Sequence, residues 1–238
     1  MKILVSSFAY NEGSKIISTI GKFPPLESRN FDLMVVDDGS NDGSIEQLAP
    51  YSVKIIRNEV NKGIGASIKT MLTYAICNNY DIAVILAGND KDEPTEISRL
   101  VDPIINDGYD FIQGSRYLPG GNFGNMPFYR QLATRFVHPI IFTLITGRKI
   151  TDSTNGFRAI RTSILKDDRI NYHQDWLDKY ELEPYLYYKA IKCGYKVKEV
   201  PVTKIYPPKQ LGYTKMRPIT GWWSILRPLI LLFLRLKR

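Results

Sequence analysis

Cysteine is scarce: Cys77 and Cys193 are the two in 238 residues, and they lie in unrelated contexts without metal-ligand spacing. A disulfide scaffold is thereby excluded, and reduced thiols in a cytosolic setting are expected. Long apolar runs are missing too, and no stretch reaches the roughly 18–20 residues that a spanning helix needs. Met1-Lys2-Ile3-Leu4-Val5 meets polar Ser6 at once, too soon for a signal peptide. Gly63-x-Gly65 lacks the third glycine of a dinucleotide fingerprint, and there is no Gly-Lys-Ser/Thr of a phosphate-cradling loop. A nicotinamide enzyme and a P-loop ATPase are disfavoured on those grounds. The loop Ala9-Tyr10-Asn11-Glu12 also lacks the glycines and arginine that a sugar nucleotidyltransferase would want there. With no repeat and no low-complexity segment, 44% hydrophobic and 24% charged residues describe an ordinary globular protein.

Acidic residues are absent from two long stretches. Phe111–Thr151 holds five Arg/Lys and no acid, and Val200–Arg238 holds eight and no acid, within a net charge of +8. Such a division suggests an anionic partner along one face: phosphate, nucleic acid or lipid headgroups. Nucleic acid ranks low, because aliphatic residues rather than stacking aromatics interleave the basic ones.

What is present centres on Ile82-Ala83-Val84-Ile85-Leu86-Ala87-Gly88-Asn89-Asp90-Lys91-Asp92-Glu93-Pro94. The apolar run reads as a strand buried on both faces, in the middle of a parallel sheet. Asp90 and Asp92 follow its carboxyl end, where open α/β sheets place ligands. If the chain stays extended, period two puts both on one side, and two hard oxygen donors suit Mg²⁺ or Mn²⁺ carrying a diphosphate. A solvated turn is the competing reading. Further strands are predicted near Lys2–Phe8, Phe31–Val36, Val53–Ile56 and Phe111–Gln113. Helices are predicted around Ile16–Ile20, from Ile64 to about Ala75, and from Pro94 to Asn106. Alternating strands and helices give an α/β fold with a mostly parallel, doubly wound sheet.

Phe8-Ala9-Tyr10-Asn11-Glu12, Val35-Val36-Asp37-Asp38-Gly39-Ser40, Asn61-Lys62-Gly63, the Asp90/Asp92 pair and Gly114-Ser115-Arg116-Tyr117 occur in an order that resembles glycosyltransferase family 2. The likeness is to the branch of dolichol-phosphate mannose synthase and bacterial polyprenyl-phosphate sugar synthases. It continues through Arg130-x-x-x-Thr134, Asp152–Phe157, Glu199-Val200-Pro201 and Gly212-Tyr213-Thr214-Lys215. The resemblance implies a single GT-A domain over residues 1–218, Rossmann-like, that grips a nucleotide-sugar, followed by an amphipathic interfacial helix over 219–238. It implies an inverting transfer from a UDP- or GDP-sugar to a polyprenyl-phosphate-type lipid. The alternatives are a hydroxyl acceptor on a glycan, or a non-catalytic nucleotide-sugar or glycan-binding module. Phe8 (where the family usually has proline), Tyr10, Glu12 and Val36 are implied to line the nucleotide, and Asp38 to read the base. Relatives show Asp-x-Asp-x-Gln where this chain has Gly88, Asn89, Asp90, Lys91 and Asp92. Asp90 is expected to keep the principal metal contact and Asp92 to restore the lost charge; the alternative is a weaker or differently placed metal, with Lys91 partly standing in for it.

Arg116 resembles a family position contacting the diphosphate or the acceptor phosphate. Arg130 and Thr134, four apart on one helix face, are implied to hold the acceptor phosphate with Lys215, and Asp90, Arg116 and Arg130 to form the catalytic set. Phe128–Thr146 should be broken or kinked at Pro139, each half lying in a membrane interface or in the core. Glu181 or Glu183 would be the general base if the acceptor is a hydroxyl; a phosphate needs none. The tail from Gly221, with Trp222, Trp223 and four cations, reads as a binder of anionic membrane, or as a docked helix or dimer contact. A peripheral enzyme on the cytoplasmic membrane face, possibly oligomeric, is the expectation.

Overall fold

The computed structural model describes residues 1–208, 210 and 218–237. Lys215, expected at the acceptor phosphate, lies outside them.

Buried apolar runs build the frame. β1 (Ile3–Ala9), β2 (Asp32–Asp37), β3 (Lys54–Arg57), β4 (Ile82–Ala87) and β5 (Phe111–Ser115) belong to one seven-stranded sheet. Its order is β3-β2-β1-β4-β7-β5-β8, with β7 (Arg158–Arg161) and β8 (Val197–Pro201) completing it. Every pairing is parallel except those of β7, which runs antiparallel to β4 and β5. The short β6 (Asn122–Gly124) and β9 (Thr203–Ile205) pair parallel beside it.

Side chains alternate between two cores, as period two requires. Leu4 and Phe8 of β1 and Ala83 and Ile85 of β4 pack with α2 (Ile64–Cys77), α5 (His138–Thr146), α6 (Leu182–Lys192) and α7 (Pro218–Phe233). Val5 and Val84 face α1 (Ser14–Gly21) and α3 (Ile97–Asp107) on the other side. Both faces are covered, which explains why the central strands read as continuous hydrophobic runs.

The expected break at Pro139 takes a specific form. α4 (Phe128–Leu132) runs into one π-helical turn, Ala133–Val137, and then into α5. The π turn lies just before the proline, absorbing the hydrogen bond that its ring removes. The chain therefore stays helical from Phe128 to Thr146. Among the described residues no helix is long and apolar enough to cross a membrane. α7 packs Leu229 and Leu232 into the core and leaves Trp223 and Phe233 exposed.

Two close approaches bring distant segments to the carboxyl edge of the sheet. A Cβ on Gly65 would lie 2.0 Å from the Leu177 carbonyl oxygen, so only glycine lets α2 receive the 177–179 backbone. The Ala66 amide donates to the Asp178 carbonyl at 3.0 Å there. Lys179 and Tyr180 are thereby carried over the ends of the strands.

Candidate active site

Strand order reverses between β1 and β4, and the carboxyl ends of the strands open there into a cleft of about 760 Å³. Ligands of open α/β sheets bind in such a crevice, and the volume suits a small organic ligand. Its walls include Phe8, Tyr10, Glu12 and Asp38 from the first two strand ends, and Asn89 and Lys91 from the turn after β4. Arg130, Glu183, Lys204 and Tyr206 close it from the second half of the chain. A smaller cavity of about 80 Å³, lined by Arg116, Thr134, His138 and Arg158, shares Arg130, Glu183, Lys204 and Tyr206 with the cleft.

Asp38 is buried and lines the cleft, with its carboxylate already engaged. It accepts from the amides of Lys62 and Gly63 at 3.0 and 2.8 Å and from Asn58 Nδ2 at 2.9 Å. It thus holds the Asn61-Lys62-Gly63 loop against the pocket. Asp37 is structural: Oδ1 accepts from the Ser40 amide at 2.9 Å, and Oδ2 pairs with Arg57 Nε at 2.9 Å.

Lys91 is 7% exposed, and its ammonium sits 4.3 Å from the Tyr206 ring centroid. Burial, with the like charges of Lys204 and Arg130, pushes its pKa down to about 7. Lys204, also buried, forms an ion pair with Asp92. The backbone ties the two lysines together, because the Ile205 amide donates to the Lys91 carbonyl at 2.9 Å and Asp92 bridges to Lys204.

The family model for "Glycosyl transferase family 2" matches residues 7–169. The chain belongs to this family. Polyprenol monophosphomannose synthase of Mycolicibacterium smegmatis is 30% identical over 221 residues, 90% of this chain and 81% of that one. UDP-N-acetylglucosamine–dolichyl-phosphate N-acetylglucosaminyltransferase of Methanococcus voltae is 31% identical over 216 residues, 83% of each. Glucosyl-3-phosphoglycerate synthase of Mycobacterium tuberculosis shares the fold, with TM-score 0.68 and 17% identity over 98% of this chain and 79% of its own. That protein has also been solved with Mn²⁺, UDP and its glucosylated product. This family 2 chain is accordingly a glycosyltransferase of GT-A fold, moving a sugar from a nucleotide-sugar donor.

Placed on this family 2 fold, the expected residues divide. Phe8, Tyr10, Glu12 and Asp38 meet at the cleft, Thr134 lines the smaller cavity, and Arg130 lines both. Val36 does not line the cleft; it is fully buried in the core against α2, because period two below Asp38 leads inward. Arg116 lines the smaller cavity and is ion-paired with Asp152. Nε and Nη2 donate to the two Asp152 oxygens at 2.7 and 2.8 Å, and Nη2 also donates to Thr154 Oγ1 at 2.7 Å. Through these bonds it holds the 152–154 loop while lining that cavity.

Asp90 and Asp92 do not converge. Asp90 has a left-handed backbone, φ 59°, which ends the extended run and swings its carboxylate to α1. There it accepts from Ser18 Oγ at 2.8 Å and pairs with Lys22 Nζ at 2.6 Å. Asp92 points the other way, fully buried against Lys204 and accepting from the Ala87 amide at 3.2 Å. Among the described residues no three acids, histidines or cysteines could together hold a metal ion. The missing first acid has a steric cause: a Cβ on Gly88 would lie 2.5 Å from the Phe8 carbonyl oxygen and 2.7 Å from Ile16 Cδ1. The pair as arranged here does not fit a metal.

Of the two candidate bases, Glu183 faces both cavities and pairs with Arg158 at 3.4 Å. Glu181 is buried outside them, 3.9 Å from Arg227, and burial raises its pKa. Lys204 and Tyr206 went unassigned in the sequence. Their signal was the alternation Val202-Thr203-Lys204-Ile205-Tyr206, which puts both on one side of β9 and its continuation.

Proposed function

We propose that this enzyme transfers a sugar, with inversion, from a UDP- or GDP-sugar to the phosphate of a polyprenyl-phosphate lipid at the cytoplasmic face of an anionic membrane. The observation that carries the reading is the small cationic cavity opening off the donor cleft, with Arg130 and Lys204 belonging to both. A donor diphosphate and an acceptor phosphate would thereby share one wall of positive charge. The names of the curated relatives point to the same acceptor chemistry.

In this reading the nucleoside lies along Tyr10, Glu12 and Asp38, with the diphosphate toward Lys91 and Lys204. The acceptor oxygen attacks the anomeric carbon opposite the departing nucleoside diphosphate, which inverts that carbon. Stabilising the developing leaving-group charge is the main catalytic term, and Arg130 and Lys204 supply it. A phosphate acceptor is largely ionised at neutral pH and needs no base. Glu183, neutralised by Arg158, then shapes the cavity. Mg²⁺ or Mn²⁺ is the cofactor carried over from the family likeness. Asp90 and Asp92 would have to leave Lys22 and Lys204 to serve as its ligands.

A hydroxyl acceptor is the second reading, and Glu183 at the junction of the cavities is the observation that favours it. Purified enzyme would be given UDP- and GDP-sugars with either undecaprenyl phosphate or hydroxyl acceptors such as phosphoglycerate. Nucleoside diphosphate release and product mass are followed. Release dependent on the lipid phosphate, and undiminished in Glu183→Gln, is expected. Transfer only to hydroxyl acceptors, abolished in Glu183→Gln, would replace the proposal with the second reading.

A further inference from the structure

We propose that Tyr117, which lines neither cavity, is the positioning residue for Arg130: its phenol holds Thr134, and Thr134 holds the turn of helix from which the guanidinium reaches both cavities. The inference rests on the reading of Arg130 as a phosphate-binding residue and names the group that keeps it in place.

The hydrogen bonds have one consistent direction. Thr134 is 6% exposed, and its Oγ1 lies 2.6 Å from the Tyr117 hydroxyl and 2.9 Å from the Arg130 carbonyl oxygen. Its two remaining neighbours among the described residues, the Gln131 carbonyl oxygen at 3.5 Å and Met126 Sδ at 3.8 Å, also only accept. A threonine has one proton to give, and the Arg130 carbonyl is the nearest of these acceptors. Tyr117 is therefore the donor, and the chain runs from Tyr117 to Thr134 to the Arg130 carbonyl. Both ends are anchored. The Tyr117 ring packs edge-on against Phe123 of β6, centroids 5.4 Å apart, and follows Arg116, itself locked to Asp152. The Arg130 guanidinium carbon lies 5.7 Å from the Tyr206 ring centroid, and the Tyr206 amide donates to the Gly124 carbonyl of β6 at 3.0 Å. Between these anchors the helix is irregular. Thr134 lies in the π turn, where the His138 amide reaches back to the Ala133 carbonyl, and a threonine hydroxyl bonded to the preceding turn bends a helix. Both are departures from the regular α-helix that a contact from outside stabilises. Tyr117 supplies that contact one turn beyond Arg130.

The test pairs hydrogen exchange with steady-state kinetics on the full chain. Tyr117→Phe keeps the ring and removes the hydroxyl, and Thr134→Val is the second variant. Tyr117→Phe should exchange the backbone amides of Gln131–Val137 at least about tenfold faster than wild type, with β1 and β4 unchanged. Thr134→Ser, which keeps a hydroxyl, should exchange there as wild type does. In transfer to undecaprenyl phosphate, with the nucleotide-sugar that supports turnover, Tyr117→Phe should raise the acceptor KM about tenfold. A merely smaller folded fraction would lower kcat and leave KM alone. Tyr117→Phe added to Thr134→Val should change KM by less than about twofold, because the relay is already broken. Unchanged exchange or an unchanged KM in Tyr117→Phe, or additive losses in the double variant, overturns the tie while leaving the acceptor reading intact. Absence of transfer to undecaprenyl phosphate in wild type overturns the acceptor reading, and the exchange rates then decide the tie alone.

Discussion

Arg116 and Asp152 form a two-point ion pair in the interior, Nε to Oδ2 at 2.7 Å and Nη2 to Oδ1 at 2.8 Å, with both side chains almost wholly shielded from water. Asp152 also accepts from the Arg116 amide at 3.1 Å, so backbone and side chain are fixed together. Glu199 extends the lock, taking the amides of Thr151 and Asp152 at 2.8 and 2.9 Å. Removing one partner leaves a buried charge unmatched. Asp152→Ala should therefore cost about 3–5 kcal/mol in urea unfolding, whereas Arg116→Met with Asp152→Leu should cost much less. Equal losses in the single and double variants would contradict this account. A phosphate-binding role for Arg116 would instead leave stability near wild type in Arg116→Met.

Gly88→Asp restores the acid that relatives carry, and it should fail as a repair. The new Cβ would meet backbone, the Phe8 carbonyl at 2.5 Å, which no rotamer relieves. A loss of about 2 kcal/mol or more is expected by thermal or urea unfolding, with no gain in Mn²⁺ affinity by titration calorimetry. A variant of wild-type stability that acquires a tight Mn²⁺ site would show that the strand end yields more easily than its packing indicates.

His138 is 2% exposed, and burial pushes its pKa down to about 4, with Arg116 and Arg130 reinforcing the shift and Asp152 opposing it. Its ordinary value is near 6.5, so between pH 6.5 and 4 the unfolded chain binds a proton that the folded chain refuses. Stability should fall as pH drops through that window, by about 3 kcal/mol from this residue, and be indifferent to it above pH 7. His138→Gln should flatten the acid limb of the unfolding free energy relative to wild type. Parallel limbs would mean that the imidazole accepts its proton in the folded state.

The sheet was legible because its central strands are apolar on both faces and end in Gly, Asp or Asn. The antiparallel direction of β7 was not, since Arg158–Arg161 takes its sense from a tertiary crossing that leaves no local mark. For the site, period-two reasoning failed at one residue. Asp90 leaves the extended region, and Asp90 and Asp92 then point to opposite sides of the turn. The partner of Arg116 was hidden for a related reason. The acid-free stretch ends at Thr151, and the next residue, Asp152, closes back on it. Charge counted along the chain was sound, while charge balance in space depended on which loop folded under which strand. Asp38, Tyr10 and Glu12 line the cleft because strand-end positions in a parallel sheet are fixed by topology, while the roles expected of them came from the family likeness.

Phe128, Leu132, Phe136, Ile140 and Leu144 recur every fourth residue and are between 49% and 77% exposed. At 3.6 residues per turn a four-residue stripe drifts round the helix, but the π turn at Ala133–Val137 takes up more residues per turn and offsets the drift. The stripe therefore stays on one side, flanked by Arg135, Arg148 and Lys149 in the segment that holds no acid. An apolar row with cationic borders is the composition that lies in a bilayer interface. Replacing Leu132, Phe136 and Ile140 together by serine should weaken binding to anionic vesicles by about 100-fold or more, with the melting temperature unchanged. Transfer to undecaprenyl phosphate in vesicles should fall with it, while transfer to a short, water-soluble prenyl phosphate should persist. Vesicle binding that survives the triple substitution would assign membrane contact to some other surface, and loss of both transfers would place the stripe in the acceptor path itself.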